Sequence, residues 1–528
     1  MPGEALKLFP LKGSPGIKKD STDTEGQYWS DGQWVRFYRG LPRSMLGYRD
    51  MTDTFPGPSR GMHVNPIGNG LLNLFSGSAS NLVVGQFNQA GAGSSPTDIT
   101  PSGFAGSTAN VWQMDTIYDP QGSGNNAIFA HGAPNLVDIA STVQVPVYYG
   151  NTNGISALVA ALNDSSATFT IDGGIVSLPP MIVAYGSNGL FCWSQISPSY
   201  NPAVFPIANA ANICATKIVK GMSIRGGSTN PSCLLWSLDC LIQASFVGGS
   251  TIWNFNTLSD QSSILSSSAV VEQDGVYYWP GVDRFLTFNG VMQELPNEIN
   301  LDWFYSNINF AQRQKVIGFK VPRWGEIWWC APLFGATENN YAIIYNIREK
   351  SWYSTPLPTD GRSAAAFAQT FPYPIMGSAL GMTPIGQNTG TVYPVWQHEI
   401  GNSAVRGQNV DAINSWIKSP NLALVGGGLS LFGSPAAAPE DVFTELTYFE
   451  PDFKFNNTLQ FTVLGREYPQ DADTVLNQTT ITQQTTNNRF DLQCQARYLR
   501  WMIAANETGG FFNMGQPLIS YRTGDRSR

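Results

Sequence analysis

The sequence predicts an all-β protein, with a β-propeller-like central domain and an additional C-terminal β-sandwich or β-rich domain. Three observations carry that expectation. Short runs dense in Val, Ile, Tyr, Phe and Trp recur along the chain, as in GQWVRFYRG, GVYYWPG, GLFCWSQ, EIWWCAPL and YAIIYNI. Such side chains suit a pleated, half-buried surface. Gly, Asn, Asp and Pro separate the runs at short spacing, the punctuation of tight turns. Helical periodicity is almost absent: only Asn300–Phe310, continuing to Gln314, and Asp411–Trp416 read as short helices.

Taken in order, residues 1–60 form an N-terminal arm and first strands, with one concentrated phrase, YWSDGQWVRFYRGLPRSMLGYR, from Tyr28 to Arg49. Residues 61–400 form the propeller-like domain, with long polar insertions at Gln86–Asn110 and near 150–175. An imperfect repeat runs through this region: an aromatic strand, a turn, and a second strand ending on an aromatic. It is visible in Gly275–Val291, Gly325–Ser354, Gly189–Gln195 and Leu241–Asn256. A strand, a turn and a strand ending on an aromatic is how a propeller blade presents its middle strands. Residues 401–528 form the C-terminal β-rich domain; from about Ile417 the texture changes, with a Gly/Ala/Pro passage at Gly426–Pro439 and then longer strands such as DVFTELTYFEPDF and ARYLRWMIAA.

Charged residues make up only 13% of the chain, about half the usual share. Amides and hydroxyls fill the surface instead, and they cost less to bury than charges do, which suits faces covered by further copies of the chain. The net charge of −8, from 38 acidic and 30 basic residues, excludes a general affinity for nucleic acid. Six cysteines without a CxxC spacing and only three histidines (His63, His131 and His398) give no zinc pattern, so free buried thiols and no cofactor are expected. No apolar run approaches the length of a membrane span, and the N-terminus has no signal-peptide core.

Candidate chemistry is sparse. The carboxylates Glu272, Asp274, Asp283 and Glu326 lie near aromatic strands, where paired acids could cleave glycosides; Asp274-Gly275 and Gly325-Glu326 read instead as hairpin turns. The string Gly186-Ser187-Asn188-Gly189 lacks a nucleophile-elbow spacing. The glycine-rich strings Gly226–Asn230 and Gly426–Ser434 match no phosphate-binding loop. No catalytic residue, cofactor site or metal site is therefore expected, and the chain reads as non-enzymatic.

The cluster Trp29, Trp34, Arg36, Phe37, Arg39, Arg43, Tyr48 and Arg49 is the strongest candidate site. On a strand, Trp34, Arg36 and Tyr38 would share one face, and Val35, Phe37 and Arg39 the other. Interleaved Arg and aromatic side chains stack on bases or build protein interfaces; in so acidic a chain a structural or interface role is expected.

With that phrase, W-x-D-G-x-x-V-R-F-x-x-G-x-P-R-x-x-x-G-Y-R from Trp29 to Arg49, the chain resembles the tail hub or nozzle proteins of short-tailed phages, the packaged-DNA stabilisation and tail tubular B proteins. Looser carriers are Leu241–Gly290, Ile327–Tyr353, and Arg497–Ile503 with the terminal Gly515–Arg526. The resemblance implies a virion tail protein made in the host cytoplasm. It implies a hexameric ring of this chain that meets adaptor or portal-proximal proteins and tail fibres or spikes. DNA is then retained and ejected as a transiting, weakly bound passenger. The alternatives are a receptor-binding or carbohydrate-binding or -cleaving tail protein, and a minor head or decoration protein.

Overall fold

A computed structural model describes residues 6–20, 22, 26–68, 70–93, 95–100, 111–118, 126–133, 147–151, 158–160, 171–195, 205–206, 208–224, 230–368, 371–431, 439–482 and 488–526. Most of the expected insertion at 150–175, parts of the Gln86–Asn110 loop, most of the Gly226–Asn230 string and the last three residues of Gly426–Ser434 lie outside the described residues, as does the His131 side chain.

The chain is almost all β. Seven sheets follow one another along it, numbered one to seven here, each built on four antiparallel strands. Their first strands are Met62–Gly68, Val111–Tyr118, Gly174–Leu178, Ile218–Ser223, Val271–Gln273, Ile317–Val321 and Ala364–Ala368. The first strand of sheet two packs on those of sheets one and three. Sheets three and four, five and six, six and seven, and seven and one touch in the same way. Sheets four and five meet through an apolar cluster in which the Trp236 and Trp279 rings stand edge to face at 5.6 Å. Between sheets five and six, Phe285 lies 5.1 Å from Trp329 and 4.7 Å from Trp352. Each such aromatic buries a large apolar area, so the side-by-side contacts hold neighbouring sheets together.

Local chemistry sets the hairpins. Asp274 and Gly275 join two strands of sheet five with φ of 54° and 81°; positive φ at both central positions is what a two-residue turn of this twist demands. The aromatic repeat falls on the second and third strands of sheet five, the second to fourth of sheet six, and the third and fourth of sheet four. That variable placement accounts for its irregular period.

Sheet seven is completed from the other end of the chain. Strands Ala364–Ala368, Phe371–Gly377 and Tyr393–His398 are followed in the sheet by Tyr48–Phe55, then by Ser403–Arg406 and Asn409–Ala412. The other N-terminal strands also leave their sequence neighbourhood. Asp31–Gln33 joins Ser415–Lys418 in the large C-terminal sheet, and the hairpin Val35–Tyr38/Leu41–Ser44 joins Phe511–Met514. Lys7–Pro10 pairs with Leu518–Arg526 in a second C-terminal sheet. The two C-terminal sheets share one core, where Phe449 stacks on Phe461 at 3.9 Å and Phe461 on Trp501 at 6.2 Å.

Two expectations about helices divide. Leu301–Asn307 is an α-helix, followed by a 3-10 turn at Phe310–Lys315. Asp411–Trp416 is not helical: it spans the end of Asn409–Ala412 and the start of Ser415–Lys418. Pairing of Ser415–Lys418 with Tyr498–Ala505, far away in sequence, overrides the local helical spacing. Among the described residues no helix is long and apolar enough to cross a membrane.

Candidate functional site

The Tyr28–Arg49 phrase runs through the junction between the C-terminal sheets, sheet six and sheet seven, and its side chains meet two buried polar clusters there. Arg36 is fully buried. Its Nη1 and Nη2 donate to the two carboxylate oxygens of Glu399, each at 2.6 Å, a paired fork that suits guanidinium geometry. Its Nη2 donates to Glu326 Oε2 at 3.1 Å, and its Nε lies 2.9 Å from Glu326 Oε1. Glu326 also accepts from the Tyr353 hydroxyl at 2.6 Å and from Trp328 Nε1 at 2.8 Å, while Trp324 Nε1 donates to Glu399 at 2.8 Å. Burial opposes the Arg36 charge, but the two carboxylates outweigh it and hold its pKa above the ordinary value. Burial raises the Glu326 carboxyl, with Arg36 opposing and Glu399 reinforcing the shift.

The second cluster lies one residue away along the chain. Arg362 Nε donates to His398 Nε2 at 2.9 Å, and Arg362 Nη1 to Asp360 Oδ1 at 2.8 Å. Trp396 Nε1, at 2.8 Å, and Ser378 Oγ donate to Asp360 Oδ2. The Arg362 guanidinium lies 5.1 Å from the Tyr48 ring, which stacks on His398 at 5.1 Å. Burial, then the Arg362 charge, press the His398 pKa well below its ordinary value, so His398 stays neutral with its Nε2 lone pair turned to Arg362. A cavity of about 340 Å³ opens beside this cluster, lined by Trp34, Tyr48, Asp360, Trp396, Arg406 and Asp411 among others.

The expected cluster is thus divided. Trp29 is buried against Trp501, edge to face at 5.1 Å. Phe37 packs on Tyr353 at 5.5 Å. Arg49 binds Gln397 Oε1 at 2.8 Å and the Ala90 carbonyl. Arg39 is exposed over the Tyr38 ring at 5.3 Å, and Arg43 is half-buried over Trp324 at 4.5 Å. Arg36 and Tyr38 do share a face, both meeting Trp324. Trp34 does not share it: its φ of 54° breaks the strand before Val35 and turns its ring to Tyr48 and Trp328, at 5.9 and 6.3 Å.

Among the candidate carboxylates, Asp274 sits in its turn and Glu272 pairs with Lys320 at 3.2 Å, while Asp283 is exposed. Glu326 departs from the turn reading: Gly325 takes the turn, with φ of 69°, and Glu326 opens the strand Glu326–Ala331 as a buried partner of Arg36. Sequence reasoning missed Trp324, Asp360, Arg362, His398 and Glu399. One signal was available: an arginine destined for a buried strand needs carboxylates, and His398-Glu399 ends an aromatic run.

Every acid in the two clusters is bonded to a guanidinium or an indole, and the arrangement holds elements together. Among the described residues no group of His, Cys, Asp and Glu side chains is placed to hold a metal ion. No protein-family model matches the chain, and no curated protein matches it at a significant level.

Proposed function

We propose that the chain is a structural subunit of a phage tail: one copy of a ring at the head-to-tail hub or nozzle that retains packaged DNA and forms the channel for its release, with no chemistry of its own. The observation that carries this reading is the Trp29–Arg49 phrase. It bears the resemblance to tail hub and nozzle proteins, and in this chain it is the segment that pins the C-terminal sheets to sheets six and seven. We read the seven sheets as the blades of a β-propeller, with Tyr48–Phe55 closing the last blade and the two C-terminal sheets forming a sandwich beside it. The circular order of contacts between neighbouring sheets, through first strands and, between sheets four and five, through the Trp236–Trp279 cluster, favours that arrangement.

The propeller axis is not the DNA path in this reading. Two cavities lie among the first strands, one of about 190 Å³ beside Gln113, Lys220 and Gln314 and one of about 480 Å³ beside His63, Met222 and Phe319; at about 30 Å³ per water they have room for roughly 6 and 16 waters, far too little for a duplex. A DNA channel is therefore a product of several copies. The carbohydrate-binding alternative wants exposed Trp platforms, and none of the fifteen Trp side chains is exposed. Negative-stain microscopy of the purified full-length chain tests the proposal. Closed rings of about six copies are expected; a monomer that binds glycans on an array would overturn it.

A further inference from the structure

The face of the Val35–Tyr38/Leu41–Ser44 hairpin beyond the buried triad holds arginines that the fold does not neutralise. Arg36 and Arg43 stand directly opposite each other across the hairpin, an arrangement that like charges disfavour. Arg36, Arg43 and Arg323 all stack on Trp324, at 4.8, 4.5 and 5.0 Å from the ring centroid. Arg39 stacks on Tyr38, and Arg348 donates to the carbonyls of Pro322 and Arg323 at 2.9 Å each. Among the described residues, Arg39, Arg43, Arg323 and Arg348 have no carboxylate partner within ion-pair distance.

The acids nearby are already engaged. Glu399 and Glu326 are taken by Arg36 and the indoles, and Glu349 accepts from the backbone N–H groups of Arg39 and Gly40 at 2.7 and 3.1 Å. Glu349 therefore fixes the loop that presents Arg39 while leaving the Arg39 guanidinium itself uncompensated. Burial, then Arg36 and Arg323, lower the Arg43 pKa, and its Nε has no hydrogen-bond partner among the described residues. Stacking on aromatic rings leaves the guanidinium edges of Arg39, Arg43 and Arg323 able to form hydrogen bonds with an oxyanion, while Arg348 adds a positive charge beside them.

From this geometry we infer that Arg39, Arg43, Arg323 and Arg348 form a docking site for the phosphodiester backbone of nucleic acid. Closely spaced phosphates match three guanidinium groups gathered around two rings, with Arg348 held beside them on the Pro322 and Arg323 carbonyls. Bases do not stack on Trp324, which is only 8% exposed beneath its arginines; contact is to the backbone and independent of sequence. The identification of that nucleic acid as DNA rests on the reading above. Four phosphate contacts per copy make a weak, salt-sensitive hold in a chain of net charge −8, compatible with a passenger that must later leave.

The test uses the full-length protein and a fluorescein-labelled random-sequence DNA duplex, followed by anisotropy across a salt series. Binding of the unaltered chain should weaken with a log–log slope of about −3 to −4 for four contacts, and each arginine should be worth about tenfold in affinity near 0.1 M salt. Arg39→Glu and Arg323→Glu, both exposed, should lose that binding, and Arg323→Ala should lose it less. Lys12→Glu makes the same charge change elsewhere and should leave binding intact. No binding by the unaltered chain at low salt, or an equal loss with Lys12→Glu, overturns the inference. Loss of ring assembly with DNA binding retained also overturns it and assigns the face to a second copy. Absence of rings in the unaltered chain sinks the nozzle reading alone, because DNA binding by the unassembled chain would leave the arginine site standing.

Discussion

Replacing Arg36 with Met tests whether the buried triad is the pin of the molecule. Met retains much of the side-chain bulk but leaves Glu326 and Glu399 adjacent, buried and without a cation. Removing one partner of a buried ion pair costs about 3–5 kcal/mol. Arg36 serves two carboxylates here, which places the expected loss at about 4–5 kcal/mol. Equilibrium urea unfolding followed by circular dichroism at neutral pH reads it as a fall in midpoint with little change in slope. The cost also depends on pH. The Glu326 carboxyl already titrates above its ordinary value through burial, and losing Arg36 raises it further. A carboxyl whose folded pKa exceeds its unfolded one gives its full stability below the unfolded value and loses it as pH rises through the folded one. The deficit of Arg36→Met should therefore be largest at pH 7 to 8 and shrink toward about pH 4.5, near the ordinary carboxyl value. Adding Glu326→Gln and Glu399→Gln should recover more than half of it, because the amides keep acceptors for the indoles and Tyr353 without the stranded charge. A loss below about 1 kcal/mol, the range of an exposed pair, would refute the reasoning.

Two further perturbations probe the same junction. An added Cβ at Gly47 would lie 2.2 Å from the Ser403 carbonyl oxygen and 2.7 Å from its nitrogen, so Gly47→Ala should destabilise by about 1–3 kcal/mol, as overpacking does; thermal unfolding unchanged from the parent would count against the close approach. His398 is held neutral with a depressed pKa, and a depressed histidine makes stability fall as pH drops below about 6.5. The gap in urea midpoint between the parent and His398→Gln, measured from pH 7.5 to 5, should narrow as pH falls, because only the parent loses the His398 contribution; parallel profiles would assign the pH dependence elsewhere.

Strand texture and turns are legible because their causes are local. Asp274-Gly275 declares its turn in two residues, and the aromatic runs declare strands wherever they occur. Partnerships across hundreds of residues have no local signature. Arg36 and Glu326 can each be picked out, but nothing near Glu326 in the sequence says that Arg36 will meet it, so a hairpin turn is the simpler reading. Strict alternation places Trp34 on the Arg36 face, and it fails because the Trp34 backbone leaves the strand. Asp411–Trp416 shows the opposite failure, a helix-like spacing converted to strands by distant neighbours.

Pairing Tyr48 with His398 also imposes an order on the making of the protein. The N-terminal strand leaves the ribosome about 350 residues before its partner, a wait of roughly 20 to 70 seconds at ordinary synthesis rates. Joining ends that far apart costs about 5 kcal/mol of chain entropy before any contact between them forms. Sheets one to six can settle during that interval, while Tyr48–Phe55 stays an unpaired edge open to wrong partners. The last of the seven sheets to form is then one that uses an early strand of the chain, and the two C-terminal sheets, which wait for Leu518–Arg526, follow it; a nascent copy truncated before Tyr393 would lack sheet seven's closing pair.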